Sequence, residues 1–333
     1  MSLTASKINT IIAKADNAWK EGIESKDWVH RSEALAAIRM NQTAQLQELK
    51  DPNIDNKVRL VWLQPTQQVV EDYDGDCDFV GAKSQSVVKE YELTKKWHVA
   101  FKISEEELRT NVFTMEDLAA KHFLEADKLL SEYATKYALS KVEALCLASK
   151  NPYPNASWSI PALGVTQIPA NQWTPDIIGE FIIAAKLANY SNPFLLSGLN
   201  MALDNWKAQM NAGQSGNEGN VQMFRQIKTY FDLWNVDGTA AANRTYLLDK
   251  GTFAFVSKAR WGGVEEFGNG ANITRYSVAS NAMEGVRLDV RYKTICENDS
   301  VDHVFEYILR CDVFANPQSI TPGFNGAMAF HKS

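Results

Sequence analysis

The chain has 333 residues, of which 45% are hydrophobic and 22% charged, and a formal net charge of −6. That is enough chain for a sizeable core and two subdomains. The net acidity argues against a dedicated nucleic-acid binder, which needs a basic stripe, and no run of about 18 apolar residues is present to span a membrane. No charged segment followed by an apolar stretch opens the chain, so no secretory leader is expected. Four cysteines, Cys77, Cys146, Cys296 and Cys311, stand far apart without a CxxC pair. They are expected to be free, mostly buried thiols of a reducing compartment. Without a leader, Asn-x-Ser/Thr triplets such as 155–157 and 298–300 are chance.

In chain order, residues 1–50 read as a loosely amphipathic helical arm. Ile8, Ile11, Ile12, Ala15 and Trp19 share one face, and a second short segment carries Leu35, Ile38 and Met40. A polar run over 41–50 and Asp51-Pro52-Asn53 form a linker. Such anchors on an arm need a covering surface, on the same subunit or on a neighbour. Residues 57–64 and 87–103 then read as two extended strands around an acidic tip at 71–78, the second alternating through Tyr91, Leu93, Trp97, Val99, Phe101 and Ile103. Two strands of that length are not stable alone and must lie on something else.

A long amphipathic helix follows, from about Met115 to Ser149. Thr114 caps it and Asp117 completes a capping box. Leu118, Phe123, Leu129, Leu130, Tyr133, Tyr137, Val142 and Leu145 recur at helical spacing with no Gly or Pro between them. At about 1.5 Å per residue this is a rod of roughly 50 Å. Residues 150–172 are a Pro- and Asn-rich loop region. Helices are expected over 175–190, with Thr174 as cap and Pro175 in the first turn, and over 198–211. Beyond a glycine-rich loop at 213–220 the chain turns β-rich. A strand is expected at 244–249, a short helix at 251–258, and two long strands at 284–295 and 302–314. In the last of these, Tyr307 falls out of phase with Val304.

Little here is catalytic. Asp72, Asp74, Asp76 and Asp78 are alternate carboxylates that could converge on a hard cation, but an EF-hand counted from Asp72 has Cys77 where glycine is required and Lys83 where glutamate is required. The competing reading is a solvated acidic tip, able to pair with basic residues of a neighbour. Gly213, Gly216 and Gly219 fit neither phosphate-binding glycine pattern. His30, His98, His122, His303 and His331 make no HExxH, and no Gly-x-Ser-x-Gly elbow exists. Cys146 lies among leucines of the long helix, as a core thiol would, and His122 is expected at a surface or interface. Arg225, Lys228, Arg244, Lys258 and Arg260 are scattered. Nine tryptophans spread over every segment. On projecting elements, large aromatics favour interfaces.

The order of parts and several strings, EYELTKKWHVAFKISEEELR (90–109), YFDLWNVD (230–237), RTYLLDKGTFAFV (244–256) and VRY (290–292), resemble the major capsid proteins of tailed double-stranded DNA bacteriophages, the HK97-fold family. The resemblance implies an α+β chain in five parts. These are an N-terminal arm at 1–55, an extended hairpin at 56–104, a peripheral domain at 105–190 with its spine helix at 114–149, an axial domain at 191–282, and return strands of the peripheral domain at 283–333. It further implies a non-enzymatic structural protein that self-assembles as pentamers and hexamers into an icosahedral virion around double-stranded DNA, in the bacterial host cytoplasm, with no membrane partner. Neighbouring capsid subunits, a portal and decoration proteins are the partners it implies, with a separate scaffold protein or none, since 55 residues leave little room for a built-in scaffold segment. Ile11, Ile12, Trp19, Trp62, Trp97 and the aspartates 72, 74, 76 and 78 are the expected interface residues. No catalytic residue, cofactor or metal ligand is assigned. Two other readings stay open, an encapsulin-like cargo compartment and a metal-dependent enzyme using Asp72–Asp78.

Overall fold

The computed structural model describes residues 4–24, 33–47, 57–63, 86–110, 112–174, 176–198, 200–201, 203–205, 207, 227–231, 243–261, 265–267, 273–297, 300–317 and 326–333. Helices α1 (Ala5–Glu24) and α2 (Glu33–Met40) form the arm. Strands β1 (Gln45–Gln47), β2 (Lys57–Leu63) and β3 (Ser86–Glu92) make a small antiparallel sheet in that order. Strand β4 (Lys95–Ser104), α3 (Glu105–Thr110) and α4 (Met115–Leu147) follow. Next come β5 (Thr166–Ile168), a 3-10 turn at Ala170–Gln172, α5 (Ile177–Leu187) and β6 (Phe194–Ser197). Helical residues are described between 200 and 207. The remainder is β7 (Lys228–Phe231), β8 (Arg244–Leu248), β9 (Phe253–Ser257), β10 (Glu265–Phe267), β11 (Ile273–Ala279), β12 (Arg287–Glu297), β13 (Ser300–Ala315) and β14 (Ala327–Lys332).

The central sheet runs β10-β11-β12-β13-β4, all antiparallel, with β9 paired to the last residues of β13. Along β13 one face carries Phe305, Tyr307, Leu309, Cys311 and Val313, all buried. Tyr307 is therefore in phase with the core, and Val304 is the residue that points the other way. The buried face packs on α4, with Tyr307 against Phe123 at 5.6 Å and Trp97 against Tyr137 at 5.7 Å between ring centroids.

Helix α4 has the expected capping box. The Asp117 N–H donates to Thr114 Oγ1 at 3.3 Å, and the Thr114 N–H donates to Asp117 Oδ2 at 3.0 Å. Its buried face differs from one read off large side chains alone. Leu129 and Tyr133 are exposed, while Ala119, Ala120, Ala126, Ala134 and Ala138 are buried. Small residues let the sheet and the arm approach the helix closely, and α1 sets Ile8, Ile11 and Ala15 into the same core.

Residues 251–258 form β9 and its flanks, not the expected helix. Gly251 turns the chain at φ +81°, and the following Phe-Ala-Phe-Val is buried on both faces. Phe253 and Phe255 join the main core, and Ala254 and Val256 join a second cluster beneath β2. A strand covered on both sides has no alternation to read, so its apolar run is indistinguishable from a helical segment. The third sheet runs β5-β14-β8-β6-β7, with β14 parallel to β5 and β6 parallel to β7. Its core with α5 is Trp158, Phe181, Ile168 and Phe330. Three strand pairings join the segments 191–282 and 283–333: β9 with β13, β11 with β12, and β14 with β8.

Candidate assembly surfaces

The extended segment read as one strand over 87–103 is two strands in two sheets, broken at Leu93-Thr94. The break is pinned by Asp312, 3% exposed. Its Oδ2 accepts from the Thr94 N–H at 3.0 Å and the Thr94 hydroxyl at 2.7 Å, and its Oδ1 accepts from the Tyr137 hydroxyl at 2.7 Å. Burial and then the Asp312 carboxylate push the Tyr137 phenol up to about 12, so it stays a donor. Lys95 lies over the same ring at 5.0 Å. The hairpin thus leaves the body at a point fixed jointly to β13 and to α4. Its inner face, Val58, Leu60 and Trp62, covers Ala254 and Val256, and Tyr91 lies on Phe314 at 4.3 Å. Its other face exposes Val88 beside the Arg59–Glu90 ion pair, while Leu46, in register with Leu60 on the inner face, is exposed at the β1 edge.

The arm is fastened at two places. Lys14 reaches Asp117 Oδ1 at 2.6 Å and Thr114 Oγ1 at 3.3 Å. The Lys14 ammonium, then the Thr114 hydroxyl and N–H, pull the Asp117 carboxyl down to about 2. At α2, Arg39 donates to the Gly285 carbonyl at 3.3 Å. Gly285 has φ +69°, and a Cβ there would stand 2.7 Å from the Arg39 guanidinium. Beside this contact lies an apolar cavity of about 370 Å³ lined by α2, Phe255 and the 282–286 turn. The turn is bound to the spine helix by Asp127, whose buried carboxylate accepts from Ser280 Oγ, the Asn281 N–H at 2.6 Å and the Ala282 N–H at 2.9 Å.

The third sheet is joined to the spine helix through Arg244, which pairs with Glu143 of α4. Within that sheet the Asp249 carboxylate, after β8, accepts from the Ser191 and Asn192 N–H groups ahead of β6 at 3.0 and 2.9 Å. Helix α5 exposes Ile183 and Leu187, one turn apart.

The expected interface residues fall into three groups. Ile11 and Trp62 are buried within the chain, at 4% and 0% exposure, so their apolar area is already covered. Ile12, Trp19 and Trp97 are half-buried. Asp72, Asp74, Asp76 and Asp78 lie outside the described residues, as does the glycine-rich loop. Sequence reasoning named Met40 among the arm anchors, and it is exposed, but it missed the exposed apolar residues Val112, Phe113 and Leu163. Periodicity points to buried faces, and no pattern marks an isolated apolar residue in a turn.

Chemistry is sparse. Burial pushes the Cys146 and Cys311 thiols well up, which suits inert core residues. Cys296 is exposed. The His303 ring meets the Tyr292 hydroxyl at 2.7 Å, and burial lowers its pKa. Among the described residues no group of three or more His, Cys, Asp and Glu is placed to hold a metal ion.

No protein-family model matches the chain, and no curated protein matches it by sequence. Solved structures do. A chain of the Cyanophage A-1(L) capsid asymmetric unit aligns over 92% of this chain and 94% of its own length, at 10% identity and a TM-score of 0.51. The capsid structure of Cyanophage P-SCSP1u aligns over 92% and 90% at 7% identity with a TM-score of 0.45, and the capsid of a native GTA particle over 92% and 92% at 12% identity with 0.43. The first of these carries the assignment, and at such identity the likeness is one of fold. With its helical arm, rooted hairpin, 33-residue spine helix and long return strands, the chain has the HK97-type capsid fold.

Proposed function

We propose that this chain is a non-enzymatic building block of an icosahedral virion shell, assembling as pentamers and hexamers that enclose double-stranded DNA. The observation that supports the reading is the end-to-end alignment with the Cyanophage A-1(L) capsid chain, 92% of one and 94% of the other. The surface supports it too. Apolar residues stay exposed on several elements, at Leu46, Val88, Val112, Leu163, Ile183 and Leu187. Modest contacts repeated around every subunit give a stable closed shell through multivalency. Shell assembly belongs to the bacterial host cytoplasm, with scaffold, portal and decoration proteins as further partners. With a net charge of −6 the wall holds DNA by enclosure more than by phosphate contacts, and a steep salt dependence of shell–DNA association would contradict that.

The test is to express the chain alone and measure its mass by light scattering, with negative-stain images of the same fractions. Rings of five or six 37.3 kDa subunits, tubes or shells are expected. A monodisperse monomer at high concentration, persisting with a scaffold protein present, overturns the reading. An encapsulin-like compartment is the second reading, favoured by one observation, the apolar cavity beside the arm helix α2. Nuclease-protected DNA inside the shells decides for the virion, and a stoichiometric protein content decides for the compartment.

A further inference from the structure

Polar groups collect where the third sheet meets the spine helix, and strand parity fixes which ones. On β14, Met328 and Phe330 pack toward α5, whereas Ala327 and Ala329 join the main core against α4. His331 therefore falls on the α4 side. On β8, Leu247 packs toward α5, and Tyr246 and Leu248 toward α4, so Arg244 falls on the α4 side too. The two strands pair with Arg244 opposite His331, and the Cβ atoms of such a pair stand about 5 Å apart. From there Arg244 reaches Glu143 of α4, one turn before Cys146.

This seam is unevenly satisfied. Arg244 Nε, the Tyr246 hydroxyl and His331 Nδ1 are buried atoms with no hydrogen-bond partner among the described residues. Burial pushes the Tyr246 phenol and the Cys146 thiol up, so both stay uncharged. Lys332 faces the other way and pairs with Asp204. On its far side His331 is in register with Gln167 of β5, which is neutral, and the Ser333 carboxyl group accepts from the Ala170 N–H at 2.9 Å. His331 is then the side chain of the seam whose charge changes near neutrality. Its ring is half-buried. Burial, then the Arg244 guanidinium, lower its pKa. A second proton on the ring puts an N–H at Nδ1 with no acceptor, and a cation beside Arg244, whose partner Glu143 is already engaged.

We propose that His331 is an acid-sensitive latch between the third sheet and the spine helix. Neutral, it lets β14 and β8 lie on α4; charged, it forces the seam apart at Arg244. The latch belongs to one folded chain and does not depend on the shell reading. A histidine whose folded pKa lies below its free value of about 6.5 adds stability that is complete above that pH and is lost as pH falls below it. The test is backbone amide exchange of the full chain at about pH 7.5 and about pH 5, corrected for the intrinsic rate. Deuterium uptake at the imidazole C2 position, read by mass spectrometry, gives the His331 midpoint in subunit or shell alike. Exchange in β8 and β14 is expected to rise about threefold or more in acid while β12 stays unchanged. His331→Gln, which takes up no proton in this range, is expected to abolish the rise. No rise in the unaltered chain overturns the proposal, as does the same rise in His331→Gln or a His331 midpoint at or above the free value. Where His331→Gln does not fold, Arg244→Gln gives the second measurement. It removes the neighbouring cation and leaves Glu143 free for the imidazolium, so the His331 midpoint is expected to move up and the rise in acid to disappear. An unmoved midpoint overturns the proposal.

Discussion

The hairpin sheet and the central sheet share one run of chain, where β3 leads into β4, yet they are stabilised differently. Strand β13 is paired on both sides, by β4 along one and by β12 and then β9 along the other, and its inward face is closed by α4. Strand β3 pairs with β2 alone among the described residues, and five of its seven residues are exposed. The first element is a core and the second is an edge whose polar groups and few apolar residues are left for something outside the chain. Between them stands Asp312, which makes no ion pair among the described residues. Its hydrogen bonds go to Thr94 at the strand break, to Tyr137 on the spine helix and to the neighbouring Val313 N–H. Two regions of different local stability are thereby joined at one carboxylate.

That contrast can be broken from the core outward. Phe305→Ala removes a fully buried ring of the central sheet and is expected to cost about 3–5 kcal/mol in urea unfolding. Val88→Ala, on the exposed hairpin edge, should stay within about 0.5 kcal/mol. Equal costs would mean the two sheets unfold as one unit. Asp312→Ala orphans the Thr94 N–H and hydroxyl and the Tyr137 hydroxyl, for an expected loss of about 1–3 kcal/mol. The effect should be local, seen as faster amide exchange over 86–97 with slow exchange retained in β12. Uniform loss of protection would place Asp312 in the core, not at a joint.

The smallest effects are expected at the arm. Thr114→Ala deletes the cap of α4 and should cost about 1 kcal/mol. The Asp117 tie has a predictable pH dependence. Its carboxyl sits at about 2 in the folded chain against about 3.9 for a free aspartate. The sign follows. The depressed value adds stability that is complete above about pH 4 and is lost as pH falls through about 2. Amide exchange of α1 followed between those values should show the arm loosening, and Asp117→Asn should remove that step while leaving acid unfolding of the rest.

Much of the frame is determined by the sequence alone. The spine helix is set by an uninterrupted helical run with Thr114 and Asp117 at its start, and β12 by the alternation of Leu288, Val290 and Tyr292 in a strand buried on one face. Both signals are local and survive without knowledge of what covers them. The rest was decided by tertiary structure. The split of 87–103 at Thr94 depends on Asp312, more than two hundred residues away. The strand β9 is invisible because covering both faces erases its period. The alanine face of α4 acquires meaning only when α1 lies on it. Which apolar residues stay outside, Val112 and Met40 among them, is settled by what the folded chain fails to cover, because burial belongs to the packed assembly of elements and not to any residue by itself.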